Sequence, residues 1–127
     1  MKNLIFKGSA ILILFVLTGY TVTDYAFKTK NLIGTWEYAV PDAPYQYQKG
    51  YIIFDNKEGD LKGFFSIDGF KAPLTNLNSK KSKVTFEAYI QGVTVSFDLT
   101  FKKKSFEGTV NYSEGTLDIS GHKKMDQ

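Results

Sequence analysis

The sequence contains one His, His122, and no Cys. Ser120 lies two positions before His122 and Asp118 four, so in an extended strand all three share one face. A hydroxyl, an imidazole and a carboxylate together are the parts of a nucleophile–base–acid relay. The alternation of the last strand turns that face to solvent, away from the enclosure such a relay needs, and a surface His is the plainer reading. Asp98, Glu107 and Asp118 are expected to neighbour one another across the last three strands. Paired carboxylates can divide acid and base roles, but these fall on the polar, outward face, where no burial tunes them for proton transfer. The segment Asp55-Asn56-Lys57-Glu58-Gly59-Asp60 is rich in oxygen ligands yet lacks the spacing and terminal Glu of a calcium loop, so it reads as a hairpin turn. A lone His without Cys gives no zinc ligand set, and no Gly-rich loop leads a strand into a helix to cradle a phosphate. No catalytic residue, metal site or cofactor is expected.

Binding chemistry is better represented. Tyr45, Tyr47 and Tyr51 lie beside or within the longest connector, residues 41–50, which Pro41 and Pro44 stiffen. Tyr joins a broad apolar face to a polar tip, which suits a pocket mouth or a contact surface. Phe70 and Tyr89 are placed to approach the same rim. These five are the candidate ligand-binding residues; the alternative is a loop that folds its own aromatics down onto the core as a lid. A second cluster is basic: Lys80, Lys81 and Lys83 in one turn, Lys102, Lys103 and Lys104 in another. It reads either as a contact for an anionic surface or as Lys placed at turns to keep hairpin ends soluble.

The elements that must position these residues alternate with period two from Asn31 onward. Trp36, Tyr38 and Val40 face one way, Thr35, Glu37 and Ala39 the other. Ile52 and Phe54 form a second inward set; Leu61, Gly63, Phe65 and Ile67 a third. Val84, Phe86, Ala88 and Ile90 follow, then Val93, Val95, Phe97, Leu99 and Phe101. The last sets are Phe106, Gly108, Val110 and Tyr112, then Leu117 and Ile119. Residues 70–76 read as a bent or edge strand, because Pro73 removes a ladder donor. Short connectors such as Asp68-Gly69, Gln91-Gly92 and Glu114-Gly115 are hairpin turns. About eight strands in meander order are expected to close into a small up-and-down antiparallel barrel, which buries the apolar face and removes both edges. A two-sheet sandwich is the structural alternative. A faint repeat relates residues 61–69 to 106–115. Each copy carries an inward Gly, Gly63 or Gly108, of the kind that lets curved sheets bend.

Upstream, Lys2 and Lys7 precede the apolar run of residues 10–17. That is the layout of a secretory signal, so residues 1–26 are expected to be a signal helix or, alternatively, an uncleaved N-terminal anchor, and residues 27–127 the barrel domain. An exported protein, periplasmic or secreted, is implied. The absence of Cys means that the domain is stabilised by burial without disulfides. All 16 basic residues are Lys and the net charge is +3. With no Arg there is no bidentate fork for a buried anion, and nothing suggests nucleic acid as a partner.

The segment Asn31-Leu32-Ile33-Gly34-Thr35-Trp36-Glu37-Tyr38 resembles the first signature of the lipocalin and calycin barrels, a Gly-x-Trp lead into the first strand. The whole chain resembles the small secreted lipocalin-like proteins found in Bacteroidetes, a likeness that implies a fold and no particular activity. In that family the Trp plugs the closed end and a long first loop lies over the mouth. Here Trp36 takes the plug role and residues 41–50 the loop. The family usually sets an Arg from a late strand over the Trp; Lys123 or Lys124 would have to substitute.

If consecutive strands alternate in direction, the lysine turns collect at the Trp36 end and the tyrosines at the other. With Trp36, Phe54, Phe65, Phe86, Phe97 and Phe106 pointing inward, a mostly filled barrel with a shallow apolar cup is expected. The sequence therefore reads as a non-catalytic binding protein for a small apolar or amphiphilic ligand at the mouth. The alternative is a structural or protein-interaction module of the cell envelope with a filled core. Expected partners are a small hydrophobic ligand and an anionic membrane surface or envelope protein.

Overall fold

The computed structural model describes residues 29–125; the expected signal segment, residues 1–26, lies outside them. A one-turn helix α1 (Thr29–Leu32) leads into β1 (Gly34–Ala39). The remaining strands are β2 (Lys49–Lys57), β3 (Asp60–Ile67), β4 (Phe70–Lys80), β5 (Lys83–Ile90), β6 (Val93–Lys102), β7 (Ser105–Tyr112) and β8 (Gly115–Lys123). Each pairs antiparallel with the next, and β8 returns to β1, so the sheet is a closed eight-stranded barrel without an open edge. This is the up-and-down barrel that the alternation implies, and not the sandwich.

Turn chemistry sets the registers. Glu58-Gly59, Asp68-Gly69 and Gln91-Gly92 place two successive residues at positive φ (53 and 88, 46 and 83, 49 and 90 degrees). Two such residues match the twist of the flanking strands. The calcium-like segment is one of these hairpins: the Gly59 amide donates to Asn56 Oδ1 at 3.0 Å and the Asn56 amide to Asp55 Oδ1 at 2.8 Å.

Of the two readings at Pro73, a bent or an edge strand, the structure shows the bent one. β4 lies inside the closed sheet, and it bends. Pairing with β3 runs from Ile67↔Phe70 to Phe64↔Pro73 and stops there. Pairing with β5 begins at Leu74↔Ala88 and shifts register between Thr75 and Asn78. The proline thus falls where β4 leaves one neighbour for the other, and Asn76 at φ 52 degrees carries the irregularity.

The inward sets all face one core. Trp36, Leu32, Ile52, Val84, Ala88 and Leu99 are completely buried, and no buried residue among those described is polar or charged. Aromatic rings run as a connected column along the axis. Trp36 meets Phe101 edge-on at 4.7 Å between centroids, Phe101 meets Phe54 at 6.1 Å, and Phe54 meets Phe86 at 6.0 Å. Phe86 stacks on Phe97 at 4.7 Å, Phe97 meets Phe65 at 5.7 Å, and Phe65 stacks on Tyr38 at 5.3 Å.

Inward glycines make room for this filling. A Cβ on Gly108 would overlap the Asp98 carbonyl of β6, and one on Gly63 the Ile53 carbonyl of β2. Both repeat glycines are therefore places where neighbouring backbone closes in, a structural use that leaves no space for a ligand. Gly108→Ala should destabilise the fold by about 2 kcal/mol or more, by overpacking against backbone. Asn111→Ala, on the outer face of the same strand, should change it by no more than about 0.5 kcal/mol. Urea midpoints of the two variants check the contrast.

Candidate functional site: an apolar cup at the barrel mouth

The loop 40–48 and the β3–β4, β5–β6 and β7–β8 turns gather at one end of the barrel, called here the mouth. The β2–β3, β4–β5 and β6–β7 turns gather at the other, with α1 and the end of β8. The closed end is plugged from inside. The Trp36 indole N–H donates to the Leu32 carbonyl at 2.8 Å, so α1 is drawn across the opening. The Lys123 ammonium stands 5.7 Å from the Trp36 ring and donates to the Asn31 carbonyl at 3.1 Å. Of the two candidates, Lys123 and Lys124, it is Lys123 that makes the cation–π contact with the Trp. Lys124 lies instead over the outer Tyr51 ring, at 5.2 Å.

Above the Tyr38–Phe65–Phe97 layer the filling stops, and a cup of about 180 Å³ opens toward the mouth. Its floor is Tyr38, Phe65 and Phe97. Its walls are Ile90, Val93, Val95, Val110, Tyr112 and Leu117, and the loop residues Val40, Ala43, Pro44 and Tyr47 lean over it. No charged side chain lines it, and Gln91 with the three tyrosines supplies the polar atoms.

The loop is held over the cup by its own backbone and by one clip. Val40 and Gln48 close its base through an amide–carbonyl bond of 2.8 Å. Tyr45–Tyr47 is a single 3-10 turn, started by Pro44, whose carbonyl accepts from the Tyr47 amide at 2.8 Å. The Gln48 side-chain amide donates to the Ala43 carbonyl at 3.0 Å and the Pro41 carbonyl at 3.2 Å. The clip is the Tyr47 hydroxyl, which donates to Gln91 Oε1 in the β5–β6 turn. From below, the Tyr38 hydroxyl donates to the Tyr47 carbonyl at 3.2 Å. Burial lifts the Tyr38 phenol well above its ordinary value of 10.0, because the phenolate would lose its water there.

Of the five candidate mouth residues, the structure places Tyr47 alone in the cup lining. Tyr45 stands clear of the loop at 87% exposure, and Tyr89 points outward from β5 at 65%. Tyr51 is on the outer wall of β2, paired with Glu37 and Ser66. Phe70 packs against the core beside the β3–β4 turn without lining the cup. Trp36, as expected, is inside the closed end. Lys80, Lys81, Lys83, Lys102, Lys103 and Lys104 are all exposed at that same end. Tyr38 and Tyr112 were missed as cup residues. The available signal was parity: each is an inward residue near the mouth end of its strand, whereas Tyr45, Tyr51 and Tyr89 were chosen by closeness to the loop alone.

The relay residues, Asp118, Ser120 and His122, all stand exposed on the outer face of β8. His122 Nε2 lies 3.1 Å from Glu37 Oε1, across the β1–β8 seam on the outer wall, with both side chains largely exposed. Ser120 pairs with Ala39 and Glu107, and Asp118 with Thr109, on the same outer face of β8 as His122. Asp98 and Asp118 share an outer row with Thr109 between them, and Asp98 pairs with Lys83 at 3.3 Å; Glu107 belongs to the next row. Among the described residues no group of three or more His, Cys, Asp or Glu is placed to hold a metal ion.

No family model matches the chain, and no curated protein matches it. A solved structure described as that of a redesigned β barrel aligns over 76% of this chain and 94% of its own, with a TM-score of 0.51 and 18% identity. At that identity the likeness shows the closed barrel and nothing of a ligand.

Two measurements probe the site directly. Tyr47→Phe removes the clip and should speed amide exchange at Ala43 and Gln48 a few-fold, a hydrogen bond being worth about 1 kcal/mol. Exchange in β5 to β7 should stay as in the parent. The raised Tyr38 phenol makes the unfolded chain release a proton that the folded one keeps, so stability is unaffected below the ordinary tyrosine value. It falls as pH rises through that value, by up to about 1.4 kcal/mol per unit. Tyr38→Phe should remove that part of the alkaline slope in urea melts.

Proposed function

We propose that the protein is a non-catalytic binding protein that takes one small apolar or amphiphilic ligand into the cup, with any polar group of the ligand at the Tyr47–Gln91 rim. The observation that carries this reading is a partly covered hollow of about 180 Å³ with an uncharged, almost wholly apolar lining, in a barrel whose interior is otherwise filled. An apolar cavity of about 150 Å³ accepts a benzene-sized molecule. The cup therefore suits a single ring or a short alkyl segment, the remainder of a longer amphiphile lying outside. A buried carboxylate or phosphate has no compensating partner there.

The lipocalin-like reading of the chain supports the same function. The plug at Trp36 with Lys123 above it and the first loop over the mouth are the features which that resemblance implies. Export to the periplasm or beyond is the setting proposed from the sequence of residues 1–26. The second reading, a structural or interaction module of the cell envelope, draws on the filled aromatic column, which leaves only the mouth for a ligand.

Titration with single-ring phenols, medium-chain alcohols and monoacyl amphiphiles, followed by displacement of an environment-sensitive dye, distinguishes the two. Trp36, at the opposite end, is a poor reporter of the cup. Saturable one-to-one displacement is expected, and Val95→Phe, which fills the cup with a larger apolar side chain, should abolish it while leaving the melting temperature within a few degrees. Absence of saturable binding across the panel, or binding that survives Val95→Phe, favours the solid module.

A further inference from the structure

We infer that the lysine turns of the closed end form a docking surface for an anionic lipid bilayer. Lys80, Lys81 and Lys83 sit on the β4–β5 hairpin; Lys102, Lys103 and Lys104 sit on the β6–β7 hairpin. Backbone hydrogen bonds lock these hairpins to their neighbours. The Phe101 amide donates to the Ser82 carbonyl at 2.8 Å, and the Lys123 amide donates to the Lys104 carbonyl at 2.8 Å. The six lysines, called here the arc, therefore sit on two adjoining hairpins held in a rigid frame, while Lys123 is engaged over the Trp36 ring and Lys124 over the Tyr51 ring. Lys81 and Lys103 hold positive φ (59 and 57 degrees), where Gly or Asn is the easier residue.

The arc is selective in where it points. The acidic groups of this end, Asp55, Glu58 and Asp60, belong to the β2–β3 hairpin, outside the arc. Among the described residues two carboxylates lie among the arc's strands: Asp98, paired with Lys83 at 3.3 Å with both partners about half exposed, and Glu107, which shares an outer row with Lys83 through Thr100. An exposed pair of this kind contributes little to stability. The field is therefore one-sided although the whole chain carries only +3.

Two observations favour a bilayer over a soluble anion. Every basic residue is Lys, a point charge on a flexible stem, which suits a diffuse layer of head groups better than a specific clamp on phosphate or carboxylate. In addition, α1 leads into the barrel across this same end, and the apolar run of residues 10–17 lies upstream of it in the sequence. A chain tethered to a bilayer through that run would present this end to the membrane and leave the cup facing away.

The test is co-sedimentation of the full chain with vesicles of phosphatidylcholine alone, or with about 30% phosphatidylglycerol, which supplies the anionic field. Binding to the neutral vesicles measures the contribution of the upstream apolar run; the increment on the anionic vesicles measures the arc. The triple variants Lys80→Gln/Lys81→Gln/Lys83→Gln and Lys102→Gln/Lys103→Gln/Lys104→Gln should each lower that increment by about tenfold or more, at roughly fivefold per lysine near the surface. The variant Lys49→Gln/Lys62→Gln/Lys71→Gln, with the same change in net charge away from the arc, should leave it within about twofold of the parent. The increment should also fade with added salt. Equal losses in all three variants, an absent anionic increment, or binding to heparin without binding to anionic vesicles would overturn the proposal.

Discussion

A barrel of this size without disulfides depends on closing its last strand onto its first. The β1–β8 seam is short, running from Trp36↔Lys123 to Ala39↔Ser120. Its inward row reads Gly50, Tyr38, Gly121, Phe106 around the wall. Large rings alternate with bare backbone because the tube is too narrow for four side chains at that level. A Cβ on Gly121 would collide with the Phe106 ring and the Glu37 carbonyl; one on Gly50 would press on the Tyr38 ring. Closure and aromatic filling are thus one constraint: the glycines let the wall curve tightly, and the rings occupy what the curve encloses.

The column of rings that results explains why the hollow lies where it does. From Trp36 to Phe65 each ring rests on another, at separations where edge-on and stacked arrangements are favourable. Toward the mouth the inward residues turn mostly aliphatic, with Val40, Ile90, Val93, Val95, Val110 and Leu117, and the strands no longer fill their own bore. Tyr38 stands at the boundary. It stacks on Phe65 below and donates its hydroxyl to the loop carbonyl of Tyr47 above, so the last aromatic of the column also fixes the cover of the cup. Its ionisation is opposed because that boundary position is already dry.

The fold was legible because a period of two survives nearly intact in every strand, and because the Asp-Gly and Gln-Gly turns state both the register and the hairpin. Pro73 left two readings open because a missing donor is shared by edge strands and by bends. Only the partner strand tells them apart, and that is a non-local fact. Gly34-x-Trp36 pointed to a Trp at the closed end, and the sequence left Lys123 and Lys124 as equal candidates for the contact above it; only the structure chooses Lys123. The cup was legible in kind and poorly in detail. Choosing aromatics near the long loop found Tyr47, which reaches Gln91, and mistook Tyr51 and Tyr89, which alternation alone should have turned outward, and Tyr45, which stands exposed in the loop. Depth in a barrel is set by strand parity and by distance from the turn. Both are present in the sequence, whereas the stagger that brings Tyr112 and Leu117 to the level of Val95 is not.

The distribution of polar groups limits where recognition can occur. No polar or charged side chain is buried among the described residues, so the interior offers no internal network to couple one end of the barrel to the other. What the protein does with charge it must do on its outer wall or at its ends; what it does with apolar matter it must do at the mouth. The His122–Glu37 contact on the outer wall is open to water, and an exposed pair there adds little by itself. The two ends therefore differ in chemistry: the loop 40–48 meets whatever enters the cup, and backbone hydrogen bonds hold the lysine hairpins at the far end.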